Sequence, residues 1–422
     1  SMRADKKTIW MLSAQLLNIV VNLSLGFVIA KYLGPSSYGL YATFLLTFSL
    51  GSILILFGLE TVLVNELVKS QDNSLRLITA AIVMRSAMWF IILLICAVVN
   101  INSDLVSTFV VFGFLCSGFE IFQVFNVGLE AREKFISIAK VKIFTAISMG
   151  FLKVYALLIS SSVEMFVYIY FAERIFYISL WGICYWPEIR IEKTVLTAFQ
   201  LKTDIHDLLI KSSWVFAAAL TTFLHTRVDQ LIILQFGDTA EFGVYSLAVR
   251  VVEVIYFVPA ILCNMVMPQI VKTKNEQDSD GYSKFLQAKT TQFFWLSVLL
   301  TGLVIFGIMI IDLYLGADFV GFASIATIYT LAIPAVFMSN LSKKILVAES
   351  KSRVLLSRSI IGIVGNCILS IVFYQWFGAI GCAIASVISF WFIGYFSSAL
   401  NQESRHIFVM QSLSFNPLRL VK

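Results

Sequence analysis

Charged side chains set inside apolar stretches are the part of this sequence that can do chemistry. Lys153, Arg174, Arg227 and Arg250 are cations in runs made mostly of Ile, Leu, Val, Phe and Ala, and Asp229, Glu253 and Glu60 are acids in the same setting. A charge at the centre of a bilayer costs roughly 2.5–3.5 kcal/mol on insertion scales, so each of these residues requires a partner or a wet cavity. Cations held in that way bind anions: a guanidinium grips oxyanions through two parallel N–H bonds, and an ammonium acts as a point charge. Acids held in that way can carry H+ or Na+.

Spacing sorts the candidates. Lys153 has no acid within one helical turn, which makes it the clearest anion-binding residue, the alternatives being that it snorkels or pairs structurally. Arg227 and Asp229, two apart, point about 200° away from each other on a helix and do not neutralise one another. His225 lies at i−4 to Asp229 and shares its face, so Asp229 is the first choice for ion coupling, with a structural salt bridge to another helix as the alternative. Arg227 must look to another helix or to a ligand. Arg250 and Glu253, at i and i+3, suit a same-face pair. Arg174 follows Glu173, and Glu60 and Glu120 sit toward span ends from which they can snorkel. Nothing has the spacing of a metal cluster, a nucleophile with its base or a phosphate-binding Gly-rich loop, so neither a cofactor nor a metal is expected. The six cysteines (Cys96, Cys116, Cys184, Cys263, Cys367 and Cys382) all fall in apolar runs and read as small buried hydrophobes.

The elements that carry these residues are membrane spans. Of the 422 residues 59% are hydrophobic and 13% charged, with a mean hydropathy of +0.88, against roughly 45–50% and 25% in soluble domains. Period-2 alternation is absent, so an all-α integral membrane protein is expected. Runs of spanning length predict twelve helices, at 9–30, 39–66, 77–100, 105–127, 137–160, 163–186, 211–236, 242–270, 288–311, 322–346, 357–376 and 378–399. With a cytoplasmic N-terminus, 26 of the 31 Lys and Arg fall in the cytoplasmic segments and the helix ends flanking them, and only Lys31 falls in a periplasmic gap. Both termini are therefore expected inside, and cysteines at Ser37, Ser103 and Ser161 should label from outside where one at Gln277 should not. The net charge of +6 follows from topology, and no nucleic acid is implied.

The chain contains a repeat. Leu33-Gly34-Pro35-Ser36-Ser37-Tyr38-Gly39-Leu40-Tyr41-Ala42 after span 1 aligns with Phe236-Gly237-Asp238-Thr239-Ala240-Glu241-Phe242-Gly243-Val244-Tyr245-Ser246 after span 7, offset by about 203 residues. Six helices per copy is an even number, so both copies insert in the same orientation, as a parallel repeat. The expected organisation is a six-helix lobe over 1–186, a cytoplasmic linker over 187–210, a second six-helix lobe over 211–399 and a cytoplasmic tail over 400–422. Leu201, Ile205, Leu208 and Leu209 predict an interfacial helix in the linker.

Lys31-Tyr32-Leu33-Gly34-Pro35 with Tyr38-Gly39-Leu40-Tyr41 resembles the first hairpin of Wzx-type polysaccharide flippases. Arg227-Val228-Asp229-Gln230-Leu231-Ile232, Leu315-Gly316-Ala317-Asp318-Phe319 and Phe377-Gly378-Ala379-Ile380-Gly381-Cys382-Ala383-Ile384-Ala385 resemble later parts of the same family. Each motif is short, and their order over nearly the whole chain carries the resemblance. It implies the fold of the multidrug and lipid-linked oligosaccharide exporters, which is MATE-like, with two lobes and alternating access. It also implies flipping of an undecaprenyl-pyrophosphate-linked oligosaccharide to the periplasmic leaflet of a bacterial inner membrane, for O-antigen, capsule or exopolysaccharide. The partners that follow are this lipid, membrane lipids, a polysaccharide polymerase and a chain-length regulator, with H+ or Na+ as coupling ion. Lys153, Arg227, Arg250 and Arg174 would hold the pyrophosphate, and Asp229, Glu253 and Glu60 would couple the ion. Twelve helices depart from the fourteen of the related lipid II flippases, which argues against a peptidoglycan role. A drug or metabolite cation antiporter of the same superfamily would favour an acidic cavity, which Lys153 opposes. A membrane polymerase or ligase would need a substantial periplasmic loop, and the periplasmic gaps are about a dozen residues or shorter.

Overall fold

In a bilayer an apolar run has to satisfy its own backbone, and the helix is how it does so. The computed structural model describes residues 6–69, 74–98, 105–159, 162–189, 198–276, 279–349 and 351–417. Of these residues 94% are helical and none is in a strand. Large apolar side chains stand on the outside, Leu94, Phe151, Leu158, Trp186, Leu303 and Leu313 among them, which is the reverse of a water-soluble surface. Among the described residues eleven helical stretches are long and apolar enough to span a membrane, and the first of them, Trp10–Lys69, has 60 residues, about three times the length one crossing needs.

Contacts divide the chain into two compact units, Ser1–Leu220 and Thr221–Lys422. The first holds α1 (Lys6–Leu56), α2 (Leu59–Lys69), α3 (Ser74–Val98), α4 (Leu105–Ser117), α5 (Val124–Ala131), α6 (Phe135–Ile159), α7 (Val163–Ile189) and the start of α8 (Ala198–Phe236). Gly34, at φ 76 and ψ 168, breaks α1 in two. That backbone favours glycine, and Pro35 then restarts the helix at a position where its missing N–H costs nothing. Contacts along α7 show that the two halves run in opposite directions. Phe166 meets Tyr41, and Tyr170 meets Phe44 and Phe48, so the second half runs with α7. Further along, Glu173 reaches Asn22 through Lys153 and Tyr177 bonds to Asn18, so the first half runs against it. α1 is thus a hairpin of two crossings, and among the described residues the apolar helices of spanning length number twelve. It packs closely on α4, where a Cβ at Gly113 would collide with Thr47 and with the Phe44 carbonyl.

The second unit holds the rest of α8, α9 (Thr239–Glu253), α10 (Phe257–Glu276), α11 (Ser279–Leu315), α12 (Phe322–Thr330), α13 (Ile333–Ala348), α14 (Ser352–Phe377), α15 (Ala379–Trp391), α16 (Ser397–Leu400) and α17 (Arg405–Ser414). Asp238 caps α9 by accepting from the Glu241 N–H at 2.7 Å. Glu241 in turn accepts from the Ala379 N–H at 2.9 Å, at the start of α15.

Apolar periodicity predicts unbroken helices at 39–66, 105–127, 242–270, 322–346 and 378–399, and the structure interrupts all five. The interruptions are Phe57–Gly58, both at positive φ, 3-10 turns at Gly118–Gln123 and Val254–Tyr256, Leu331–Ala332 between α12 and α13, and a π turn at Phe392–Phe396. Such turns inside a span mark places where the backbone departs from simple anchoring.

The linker is also different from its expected form. Its described part, 198–210, is the beginning of α8, and the two units divide inside that helix rather than at 211. Leu201, Ile205 and Leu208 pack on Leu59, Ala80 and Met84 in the first unit's core, and Leu209 is exposed. Residues 190–197 lie outside the described part. In the expected tail, α17 packs against α11, with Gln287 and Thr291 both hydrogen-bonded to Ser414. Of the labelling positions, Ser37 lies at the α1 bend, and Ser103, Ser161 and Gln277 are outside the described residues.

Candidate functional site

In the first unit Lys153 and Arg174 are each paired with an acid on another element. Lys153, 6% exposed on α6, gives its Nζ to Glu173 Oε2 of α7 at 2.9 Å and to Asn22 Oδ1 of α1 at 3.4 Å. The lysine that has no acid on its own helix is therefore paired with an acid on the next, and its isolation in sequence does not carry over to space. Arg174 donates to Glu120 Oε1 at 3.2 Å and to the Tyr170 hydroxyl at 2.8 Å, and its guanidinium lies over the rings of Tyr170 and Phe48 at 4.7 and 4.9 Å. Glu120 belongs to the 3-10 turn inside its span and is 6% exposed, so it does not snorkel. With its amide nitrogen toward them, Gln123 bridges Glu120 and Glu60 at 3.0 Å each. Arg85 of α3 is fully buried, donates to the Glu120 carbonyl at 3.2 Å and leaves Nε and Nη2 unpartnered.

In the second unit Arg227 of α8 closes on Glu253 of α9, its Nη1 lying 2.9 and 2.8 Å from the two carboxylate oxygens. The acid that the i, i+3 spacing offers to Arg250 is thus taken by another helix, and Arg250 lies half-buried one turn back. Asp229, 1% exposed, has no ion-pair partner among the described residues. Its Oδ2 accepts from the Tyr245 hydroxyl at 2.5 Å and the Ser386 hydroxyl at 2.8 Å, and its Oδ1 accepts from the Gln230 N–H at 2.8 Å. A structural salt bridge at Asp229 is thereby replaced by hydroxyl donors. His225 does not join it: its ring lies against Phe390 at 4.8 Å, and both ring nitrogens are buried without a hydrogen-bond partner.

Sequence spacing therefore finds the charged residues and misses how they combine. Lys153, Arg174 and Glu60 belong to one buried region of the first unit, and Arg227, Glu253 and Asp229 to one region of the second. Tyr245, Ser386 and Gln123, which complete the sites, carry no signal of their own in an apolar sequence, and Glu173 is visible there as a charge beside Arg174 and not as the partner of Lys153. Arg85 does carry one, a charge well inside the span 77–100, which counting it with the cytoplasmic margin conceals. The acids Glu60, Glu120 and Glu253 all flank or occupy the interrupted turns. Among the described residues no cluster of His, Cys, Asp and Glu could hold a metal ion.

The fold is similar to that of solved transporters of the MOP superfamily. The chain superposes on an inward-facing multidrug resistance MATE transporter of that superfamily with a TM-score of 0.71 at 13% identity, covering 99% of this chain and 98% of the other. It superposes on the lipid II flippase MurJ in its inward closed conformation with a TM-score of 0.66 at 15% identity, covering 96% and 91%. A third match is a MOP transporter from Pyrococcus furiosus, described as having a binding pocket of reverse polarity, with a TM-score of 0.53 at 10% identity, covering 99% and 97%. At such identities these likenesses define the fold. No curated protein matches by sequence. The family profile for polysaccharide biosynthesis proteins matches residues 28–324, and the chain belongs to that family.

Proposed function

We infer that this protein flips a pyrophosphate-linked oligosaccharide lipid, on a polyprenyl carrier of the undecaprenyl kind, from the cytoplasmic to the outer leaflet, for assembly of O-antigen, capsule or exopolysaccharide. The buried Lys153–Glu173 pair carries this reading within a chain of the polysaccharide biosynthesis family. An ammonium held by one anionic oxygen exchanges it readily for another. A phosphate oxygen that displaces Glu173 takes over the Lys153 ammonium, and Arg227 with Glu253 repeats the arrangement with a guanidinium suited to two oxygens. With the cell interior negative, outward movement of the headgroup is itself favourable by about 2.3 kcal/mol per charge per 100 mV.

The assay is proteoliposomes loaded with a fluorescent polyprenyl-pyrophosphate oligosaccharide, scored by the fraction open to an external glycosidase. Protein-dependent exposure within minutes is expected. A second reading, cation antiport, draws on the balance in the first unit, where Glu60, Glu120 and Glu173 match Arg85, Lys153 and Arg174. Ethidium accumulation without lipid exposure would replace the first reading with the second.

The orientation places Lys- and Arg-rich ends in the cytoplasm. Single cysteines at Ser36 and Asp318, both exposed, should react with an impermeant maleimide on intact cells, and one at Lys134, in the turn before α6, should react only after lysis. Reaction of the Lys134 position in intact cells would reverse the assignment.

A further inference from the structure

The second unit contains a pocket of about 460 Å³ between the beginning of α14 and the end of the span formed by α15, the π turn and α16. Its polar side includes Ser357, Arg358, Ser397 and Gln402, and its apolar side includes Ile361, Phe392 and Leu400. Arg358 is 5% exposed, and its Nε and Nη2 are buried with no hydrogen-bond partner. These two atoms form the side-on edge of the guanidinium, the fork that receives two oxygens of a phosphate or carboxylate. A buried guanidinium edge without an acceptor is costly, and a ligand oxygen entering from the pocket removes that cost.

Neighbouring charges do not supply the acceptor. Glu349 takes Lys351 at 2.8 Å and His406 at 3.0 Å, and although burial acts to raise it, these two partners hold its carboxyl below the usual range. Lys351 also donates to the Glu403 carbonyl at 3.0 Å. Glu403 lies exposed at the rim, and Arg358 forms no ion pair among the described residues.

We propose that this pocket binds the phosphodiester headgroup of an anionic phospholipid, with Arg358 gripping the phosphate and an acyl chain lying along Ile361, Phe392 and Leu400. The apolar side selects a lipid over free phosphate: Ile361 and Leu400 are largely exposed, and a bare ion would leave them uncovered. The pocket lies at a span end, where headgroups reside, and a basic recess between helices at that level suits an anionic one. This site is separate from the charged pairs assigned to transport and does not depend on that reading.

The test is native mass spectrometry of the detergent-purified full chain titrated with phosphatidylglycerol, diacylglycerol or inorganic phosphate. Wild type should retain phosphatidylglycerol, and Arg358→Met should weaken it by about 10-fold or more, the loss of a charge-assisted bidentate contact. Arg358→Lys should fall between the two. Ile361→Trp, which narrows the pocket and leaves the guanidinium untouched, should weaken it as well, and this variant decides the matter if Arg358→Met does not accumulate. Unchanged phosphatidylglycerol binding by Arg358→Met or Ile361→Trp overturns the site. Competition by millimolar inorganic phosphate would make it a free-phosphate site, and equal retention of diacylglycerol would make it an apolar groove; either outcome rejects the proposal.

Discussion

A protein in which Lys153 and Glu173 are replaced together by Met and Leu should fold, reach the membrane and fail to transport. Exchanging a buried ion pair for packed apolar residues is neutral or stabilising by about 1–4 kcal/mol, whereas removing one partner costs about 3–5 kcal/mol. Lys153→Ala alone leaves Glu173 buried without its cation and should therefore lose both folded protein and activity, which makes it a poor discriminator. The double variant separates the two roles. If the pair is only a clasp between α6 and α7, flux per folded molecule survives; if Lys153 meets the headgroup, flux falls by about 100-fold or more, the scale of a lost buried charge contact. Glu173→Gln adds a finer test: it keeps the shape and removes the carboxylate that competes for Lys153, so transport should persist. Normal flux in the double variant would remove Lys153 from the site.

The second large effect is expected at Asp229. Hydroxyl groups both donate and accept, so Tyr245 and Ser386 can hold this carboxyl charged, by donating to Oδ2, or neutral, by turning to accept its proton. Asp229→Asn keeps the shape and the partners and ends that exchange. It should fold normally and lose its response to a proton gradient by about 10-fold or more, the scale of one hydrogen bond to a charged group. Acceleration by a membrane potential alone should survive. Full proton dependence in Asp229→Asn would leave Asp229 a structural residue, and rates indifferent to a potential of either sign would remove the electrophoretic drive.

What sequence conveys about this molecule follows from where its information lies. Span number and helical class are written in apolar run length, and the α1 hairpin is written in Gly34-Pro35, because only glycine adopts that φ freely and proline restarts a helix. The interrupted spans are legible in part: Gly58 and Gly118 lie at two interruptions, and Pro259 and Pro334 begin helices just beyond two others. An average over apolar periodicity passes over all four. Pairing is not legible. The distance from Lys153 to Glu173 depends on how α6 is turned about its axis, and a helix apolar on every side gives no stripe from which to read that rotation. Asp229 shows the same limit from the other direction, since i−4 spacing puts His225 on its face and cannot reveal that Tyr245 and Ser386 arrive first.

Two of the ion pairs inside the spans, Lys153 with Glu173 and Arg227 with Glu253, join helices consecutive in the chain. A nascent chain meets the insertion machinery in that same order, and a lone charged helix entering lipid bears the full penalty of its charge. Inserted as hairpins, α6 with α7 and α8 with α9 enter already neutralised, each cation carried in beside its own acid. The groups that serve the folded protein are in this way also what lets its least apolar helices into the membrane. A variant that separates either pair should be lost first during biogenesis, as chain that never integrates, before any defect in the finished fold can be measured.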